Sequence, residues 1–169
     1  MKKRITIGMV FVIIICLFAW RFWPYSLSNL LPLSQDTITG VSGYANISGV
    51  QNGKAFIDSY EIAHNAVKDT DLQEILMILD SSEYQQDFRN ILPWSIDQVD
   101  AGKNFEGYTV NLVFTWGDET NASVNMMYLS KNIVVVDTGT ESGFRIYHPV
   151  NKDVLGNLVE YLKVHGARK

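Results

Sequence analysis

GYTVNLVFTWGDETNASVNMMYLS, residues 107–130, carries the clearest alternation in the chain. Tyr108, Val110, Leu112, Phe114 and Trp116 fall at every second position, separated by Thr109, Asn111, Thr115 and the single apolar exception Val113. Successive side chains of a strand point to opposite faces, so this stretch reads as a strand buried on one side and wet on the other. Gly117 to Asn121 has turn composition, and a five-residue loop there brings Ala122, Val124, Met126 and Tyr128 opposite Trp116, Phe114, Leu112 and Val110. That register makes four apolar pairs on one face, and cross-strand pairs of this kind stabilise a sheet.

The same register leaves Val113, Met127 and Leu129 on the opposite face. A three-residue turn at Ser130 to Asn132 adds Ile133 and Val135 beside them. These five residues, set among the polar Thr109, Asn111, Thr115 and Asn125, form the candidate partner-binding patch. An apolar patch rimmed by polar groups suits docking, whereas a covering helix or tether would make it a second small core. A two-residue turn would swap the face of Ile133 and dissolve the patch.

Outward from the meander, Ile133 to Asp137 and Phe144 to His148 read as further strands, with a loop from Thr138 to Gly143 between them. A closing helix begins near Lys152, capped by Asn151, with Val154, Leu155, Leu158, Tyr161 and Leu162 facing inward. Gly156 weakens that helix by about 1 kcal/mol relative to Ala. Upstream, Tyr44 to Val50 and Lys54 to Ile62 are joined through Gln51-Asn52-Gly53, a strong hairpin signal. Thr70-Asp71-Leu72-Gln73 has the capping-box pattern, and Leu72, Ile75, Leu76 and Leu79 follow on one helical face. Glu83 to Ile91 reads as a strand or an extended crossing, ended by Leu92-Pro93-Trp94. The expected fold is α+β, with hairpin, helix, meander and C-terminal helix built on a mostly antiparallel sheet.

Ahead of this domain, Ile5 to Trp20 holds no charge and follows Lys2, Lys3 and Arg4. Ten of the sixteen residues are Ile, Val, Leu or Phe, which favours bilayer insertion by about 3 to 6 kcal/mol. Carried to Trp23, the run spans about 28 Å of helix, close to the roughly 30 Å hydrocarbon core. Arg21 can snorkel, and Trp20, Phe22, Trp23 and Tyr25 make an interfacial aromatic collar before Pro24. The basic start keeps the N-terminus in the cytoplasm and exports the rest. Residues 1–23 are thus expected to be a cytoplasmic tip and transmembrane helix, 24–43 a tether, and 44–169 the exported domain. The membrane, met through residues 5–23, is the first expected partner. The rival reading is a secretory signal cleaved near Ser26-Leu27-Ser28.

All eighteen acidic residues lie beyond Pro24 against ten Lys and Arg, so the exported part carries about −8 and is unsuited to nucleic acid. Its lack of cysteine, Cys16 lying in the apolar run, argues for a bacterial envelope over a disulfide-rich secreted setting. Asn46-Ile47-Ser48 and Asn121-Ala122-Ser123 are then chance sequons. His64, His148 and His165 stand isolated, without the close pair that a zinc site uses. Gly40-Val41-Ser42-Gly43 falls one residue short of a nucleophile elbow, and no phosphate or dinucleotide loop occurs. No catalytic residue, metal ligand or cofactor is expected, although Asp69 with Asp71, or Asp118 with Glu119, could serve a hydrolase as acid and base.

A basic N-terminus, one apolar segment, a hairpin, the helix Thr70 to Leu79 and the meander from Gly107-Tyr108 ending in a helix resemble a known plan. It is that of small membrane-anchored or lipoprotein-borne exported domains of low-GC Gram-positive bacteria. The resemblance covers about residues 44 to 162 and implies an envelope location without a catalytic residue. The expected function is therefore non-enzymatic binding of a protein, a peptide or a cell-wall component. The alternatives are an extracytoplasmic hydrolase using loop carboxylates, a cleaved secreted protein, or a structural subunit of a membrane complex.

Overall fold

The computed structural model of the chain describes residues 2–31, 38–63, 69–91, 107–117, 123–137 and 143–169. In chain order these form α1 (Lys2–Arg21), α2 (Leu27–Leu30), β1 (Ile38–Gln51), β2 (Lys54–Ile62), α3 (Asp69–Asp80), β3 (Tyr84–Gln86) and a 3-10 turn (Phe88–Ile91). Then come β4 (Gly107–Trp116), β5 (Ser123–Ser130), β6 (Ile133–Asp137), β7 (Phe144–Pro149), α4 (Val154–His165) and β8 (Ala167–Arg168). The described strands make one sheet in the order β3-β7-β6-β5-β4-β1-β2-β8, and every neighbouring pair is antiparallel. The fold class is α+β with a mostly antiparallel sheet, as the alternation and turn spacing imply. Among the described residues no helix is long and apolar enough to cross a membrane.

Local chemistry accounts for the elements. Asn52 and Gly53 take φ of 54° and 73°, the paired left-handed conformation that lets a two-residue turn match strand twist, so Gln51 pairs with Lys54. Gly43 on β1 lies opposite Leu112, where an added Cβ would sit 2.7 Å from the Leu112 side chain and from the Asn111 carbonyl oxygen. Thr70 is already helical in α3 and so is not the cap that its spacing suggests. Asn151 Oδ1 accepts from the Asp153 amide at 3.0 Å, and α4 starts at Val154, close to expectation.

The inner face of the sheet carries the core. Val110, Leu112 and Phe114 from β4, Met127 and Leu129 from β5, and Val134 and Val136 from β6 are buried with the apolar faces of α3 and α4. Tyr84 is fully buried, and its hydroxyl donates to the Leu79 carbonyl at 2.6 Å. At the two ends of the sheet the two-residue β8 pairs with Tyr60 and Glu61 of β2, and Tyr25 exchanges two 2.8 Å backbone bonds with Tyr84 on β3. Short edge segments blunt the template for pairing with another chain.

Two expectations need correction. Residues 24–43 are not a free tether, because Tyr25 joins the sheet edge, Leu27, Leu30 and Leu31 lie in the core, and β1 begins at Ile38. The apolar leucines there have no period in sequence, since a four-residue helix is too short to display one. The register of β5 is also displaced by one residue: Trp116 pairs with Ser123 and Leu112 with Met127, so six residues, Gly117 to Ala122, separate the strands. Matching apolar residues misleads here because the inward position opposite Phe114 is filled by Asn125, which is 2% exposed. Its Nδ2 donates to the Asp137 carbonyl, which offsets part of the cost of burial.

Leu112→Ala and Phe114→Ala should each destabilise the domain by about 2 to 5 kcal/mol in denaturant titrations, while Thr109→Ala and Thr115→Ala should stay within about 0.5 kcal/mol. The β5 register has its own signature. Met127→Lys should lower the melting temperature severely, because it buries an unpaired ammonium. Met126→Lys should scarcely move it, and the reverse ranking would restore the five-residue loop.

Candidate functional site

The face of the sheet opposite the helices is defined by the observed registers. It presents Tyr44 from β1, Thr109, Asn111, Val113 and Thr115 from β4, and Val124, Met126 and Tyr128 from β5. Ile133 and Val135 from β6 and Phe144 and Ile146 from β7 continue it. Val124 is 58% exposed, Met126 49% and Phe144 45%. Val113, Tyr128 and Ile133 are half-buried. Val135 and Ile146 are buried, yet they stand apart from the main core cluster. The Asn90 side chain clips the Ile146 backbone from both sides, donating to its carbonyl at 2.6 Å and accepting from its amide at 2.9 Å.

Of the five residues expected in the patch, Val113, Ile133 and Val135 do share this face, whereas Met127 and Leu129 are each 1% exposed in the core. Two displacements cancel in producing that outcome. The slipped register turns Met127 and Leu129 inward, and the turn at Lys131 and Asn132 has two residues instead of three, with Ser130 paired to Ile133. Together they return Ile133 and Val135 to the side of Val113. The exposed members Val124, Met126 and Phe144 were not legible from apolar pairing. The one signal for them would have been to accept Asn125 as an inward residue.

A polar cluster sits at the junction of β3, the 3-10 turn and β7. Asp87 Oδ1 accepts from the Arg89 amide at 2.7 Å and from its Nε at 2.9 Å, and Oδ2 accepts from Nη2 at 2.8 Å. His148 Nε2 lies 2.6 Å from Asp87 Oδ2, and Nδ1 lies 2.7 Å from the Asn132 carbonyl oxygen. The Arg89 hydrogen bonds, working against desolvation, hold the Asp87 carboxyl well below the ordinary carboxylate range. A carboxylate orienting a histidine is the base half of many nucleophilic sites. Here both imidazole nitrogens face protein oxygens. The cluster ties the 3-10 turn to β7 and to the Asn132 turn. Asp87 and His148 are 61 positions apart in the chain, so sequence reading leaves each alone.

Other candidates disperse. His165 stacks on Tyr161 at 4.3 Å between ring centres, with Nδ1 3.0 Å from the Tyr161 carbonyl oxygen. Asp71 accepts from the Tyr161 hydroxyl at 2.6 Å, and burial together with that carboxylate pushes the phenol pKa up. Gly40 to Gly43 lies inside β1, without the strand-to-helix turn that a nucleophile elbow requires. His64, Asp118, Glu119 and the Asp69 side chain lie outside the described residues. Among the described residues no group of three or more His, Cys, Asp or Glu could hold a metal ion. Buried Gln86 Oε1, Trp116 Nε1 and Asn125 Oδ1 have no hydrogen-bond partner. Comparison with protein-family models, with curated proteins and with solved structures finds no match in any of the three.

Asp87→Asn should cost about 1 to 3 kcal/mol near neutral pH, the scale of hydrogen bonds to a charged group, discounted for the partly exposed Arg89 and His148. Because the folded carboxyl titrates below its unfolded value, its stabilisation is complete above about pH 4 and is lost as pH falls through the folded value. Thermal melts of the two proteins should therefore differ near neutral pH and converge in strong acid. A gap that stays constant into strong acid would mean the carboxylate charge is irrelevant to the cluster.

Proposed function

We propose that this chain is a non-enzymatic, single-pass protein of a bacterial cytoplasmic membrane. Its N-terminus lies inside, and its exported α+β domain binds a protein, a peptide or a cell-wall component. The observation that carries the anchor is α1. From Met9 to Phe18 its large apolar side chains stand 47–64% exposed, on every side of the helix. A helix apolar all round is stable only within lipid or among other apolar partners. The run Ile5 to Trp23, charged only at Arg21 near its end, has about the length of a bilayer core, and the three preceding basic residues set the orientation.

Cleavage near Ser28 is disfavoured by the role of the residues it would remove. Tyr25 closes the β3 edge, and Leu27 is fully buried. For binding, the supporting feature is the outer face of the sheet, where Val124, Met126 and Phe144 stand exposed around the half-buried Val113 and Tyr128. Thr109, Asn111 and Thr115 give it a polar margin, as partner sites usually have. A hydrolase built on loop carboxylates gains no observation in its favour.

Cysteine accessibility on whole cells tests the topology, in a Cys16→Ala background. Lys152→Cys should react with an impermeant maleimide, and Lys3→Cys should react only after lysis; the opposite pattern overturns the export reading. Partner binding is tested by Val124→Glu with Met126→Lys in the full chain. In-membrane crosslinks made by the parent should vanish while the melting temperature holds within a few degrees. Crosslinks unchanged by both substitutions would exclude this face.

A further inference from the structure

The geometry points to a second membrane contact: the end of the domain at which α1 enters is a fixed foot that rests Phe88 in the phospholipid headgroup layer. This rests on the anchor reading above and specifies how the domain stands on the bilayer. The junction is built, with little slack. The Phe22 amide continues α1 by donating to the Phe18 carbonyl at 3.1 Å, the Trp23 amide donates to the Trp20 carbonyl at 3.3 Å, and two residues later Tyr25 is already paired with Tyr84. Only Pro24 stands between the last helical bond and the sheet edge, and proline has a fixed φ.

An aromatic column crosses the joint. Phe18 stacks on Phe22 with ring centres 6.0 Å apart, and Phe22 stacks on Phe88 of the 3-10 turn at 6.2 Å. Tyr25 meets Tyr147 edge-on at 6.3 Å. Although held against Phe22, Phe88 is 56% exposed, and Trp20 and Trp23 at the end of α1 are 76% and 70% exposed. Arg145 and Arg21 both lie within electrostatic reach of the hydroxyl of Tyr147, whose ring Tyr25 meets. Large exposed aromatics interleaved with arginine suit the interface, where rings sit at headgroup level and guanidinium groups meet phosphate. They are a poor surface to leave in water on a domain whose other charges are mostly acidic.

Chain direction says which end is down. Tyr25 runs antiparallel to β3, so α1 approaches from the Gln86 and Phe88 side, which is also the Phe144 end of β7. Pro149 ends β7 on the opposite side, about 17 Å from Phe144 at the rise of a strand, and Lys152 follows beyond it. A flexible tether would let either end approach the membrane. The stacked joint selects one.

The test uses the full chain with Cys16→Ala, reconstituted in phosphatidylcholine and phosphatidylglycerol vesicles containing lipids with a shallow nitroxide quencher. Phe88→Cys or Lys152→Cys carries an aromatic environment-sensitive fluorophore; both positions are exposed, and at 88 the fluorophore's ring stands in for the phenyl ring against Phe22. Quenching at position 88 should exceed that at 152 by at least threefold, with blue-shifted emission at 88 alone. Equal quenching, or none at 88, overturns the proposal. A second protein carries twelve Gly and Ser residues inserted between Trp23 and Pro24. Its position-88 quenching should fall to the level of 152, and persistence of the signal would overturn the fixed joint. Flotation of the same samples separates the two readings. A chain that fails to float with vesicles refutes the anchor, whereas one that floats without quenching at 88 refutes only the foot.

Discussion

The pairing of Phe114 with Asn125 governs the arrangement of the sheet. Because side chains alternate along a strand, placing Asn125 inward places Met127 and Leu129 inward as well, and sends Val124, Met126 and Tyr128 outward. The two-residue turn at Lys131 and Asn132 then passes the choice to β6, so that Val134 and Val136 complete the core. One polar residue at an inward position, satisfied in part by the Asp137 carbonyl, thereby decides which apolar residues fill the core and which are shown to solvent. The unpartnered Asn125 Oδ1 and Trp116 Nε1 on the same face are costs that the surrounding apolar burial offsets.

Covering the inner face with α3 and α4 leaves the outer face to be finished by smaller means. At the β7 end Asn90 bonds the Ile146 backbone from both sides, and the Asp87 carboxylate is bonded directly by Arg89 and contacted by His148. That cluster has the residue types of a catalytic pair and the connectivity of a clamp. The distinction comes from counting ring nitrogens and their partners, which no inspection of residue types could supply. Beyond the clamp, toward Val124 and Met126, the face stays open, and the docking proposal draws on that part.

The entry of the chain ties α1 to the sheet. Tyr25 does two tasks at once, ending the run from α1 and pairing with the β3 edge, so that helix and sheet share a residue-scale joint. Leu27, Leu30 and Leu31 follow directly into the core, which binds the domain's stability to a segment that composition alone assigns to a linker.

The sequence by itself determined the class of fold, the hairpin at Asn52-Gly53, the half-buried character of β4, the inner faces of α3 and α4 and the apolar run ahead of the domain. These are written in local periods of two and 3.6 residues and in turn chemistry, which need no knowledge of distant neighbours. Tertiary structure alone decided the face of Met127 and Leu129, the role of residues 25–31 and the meeting of Asp87 with His148. The reason is common to all three. An alternating strand offers two registers one residue apart, and the better one depends on whether a buried amide finds an acceptor on another strand. A short leucine-rich helix has no period to read, and a side-chain contact spanning 61 positions exists only once β3 lies beside β7.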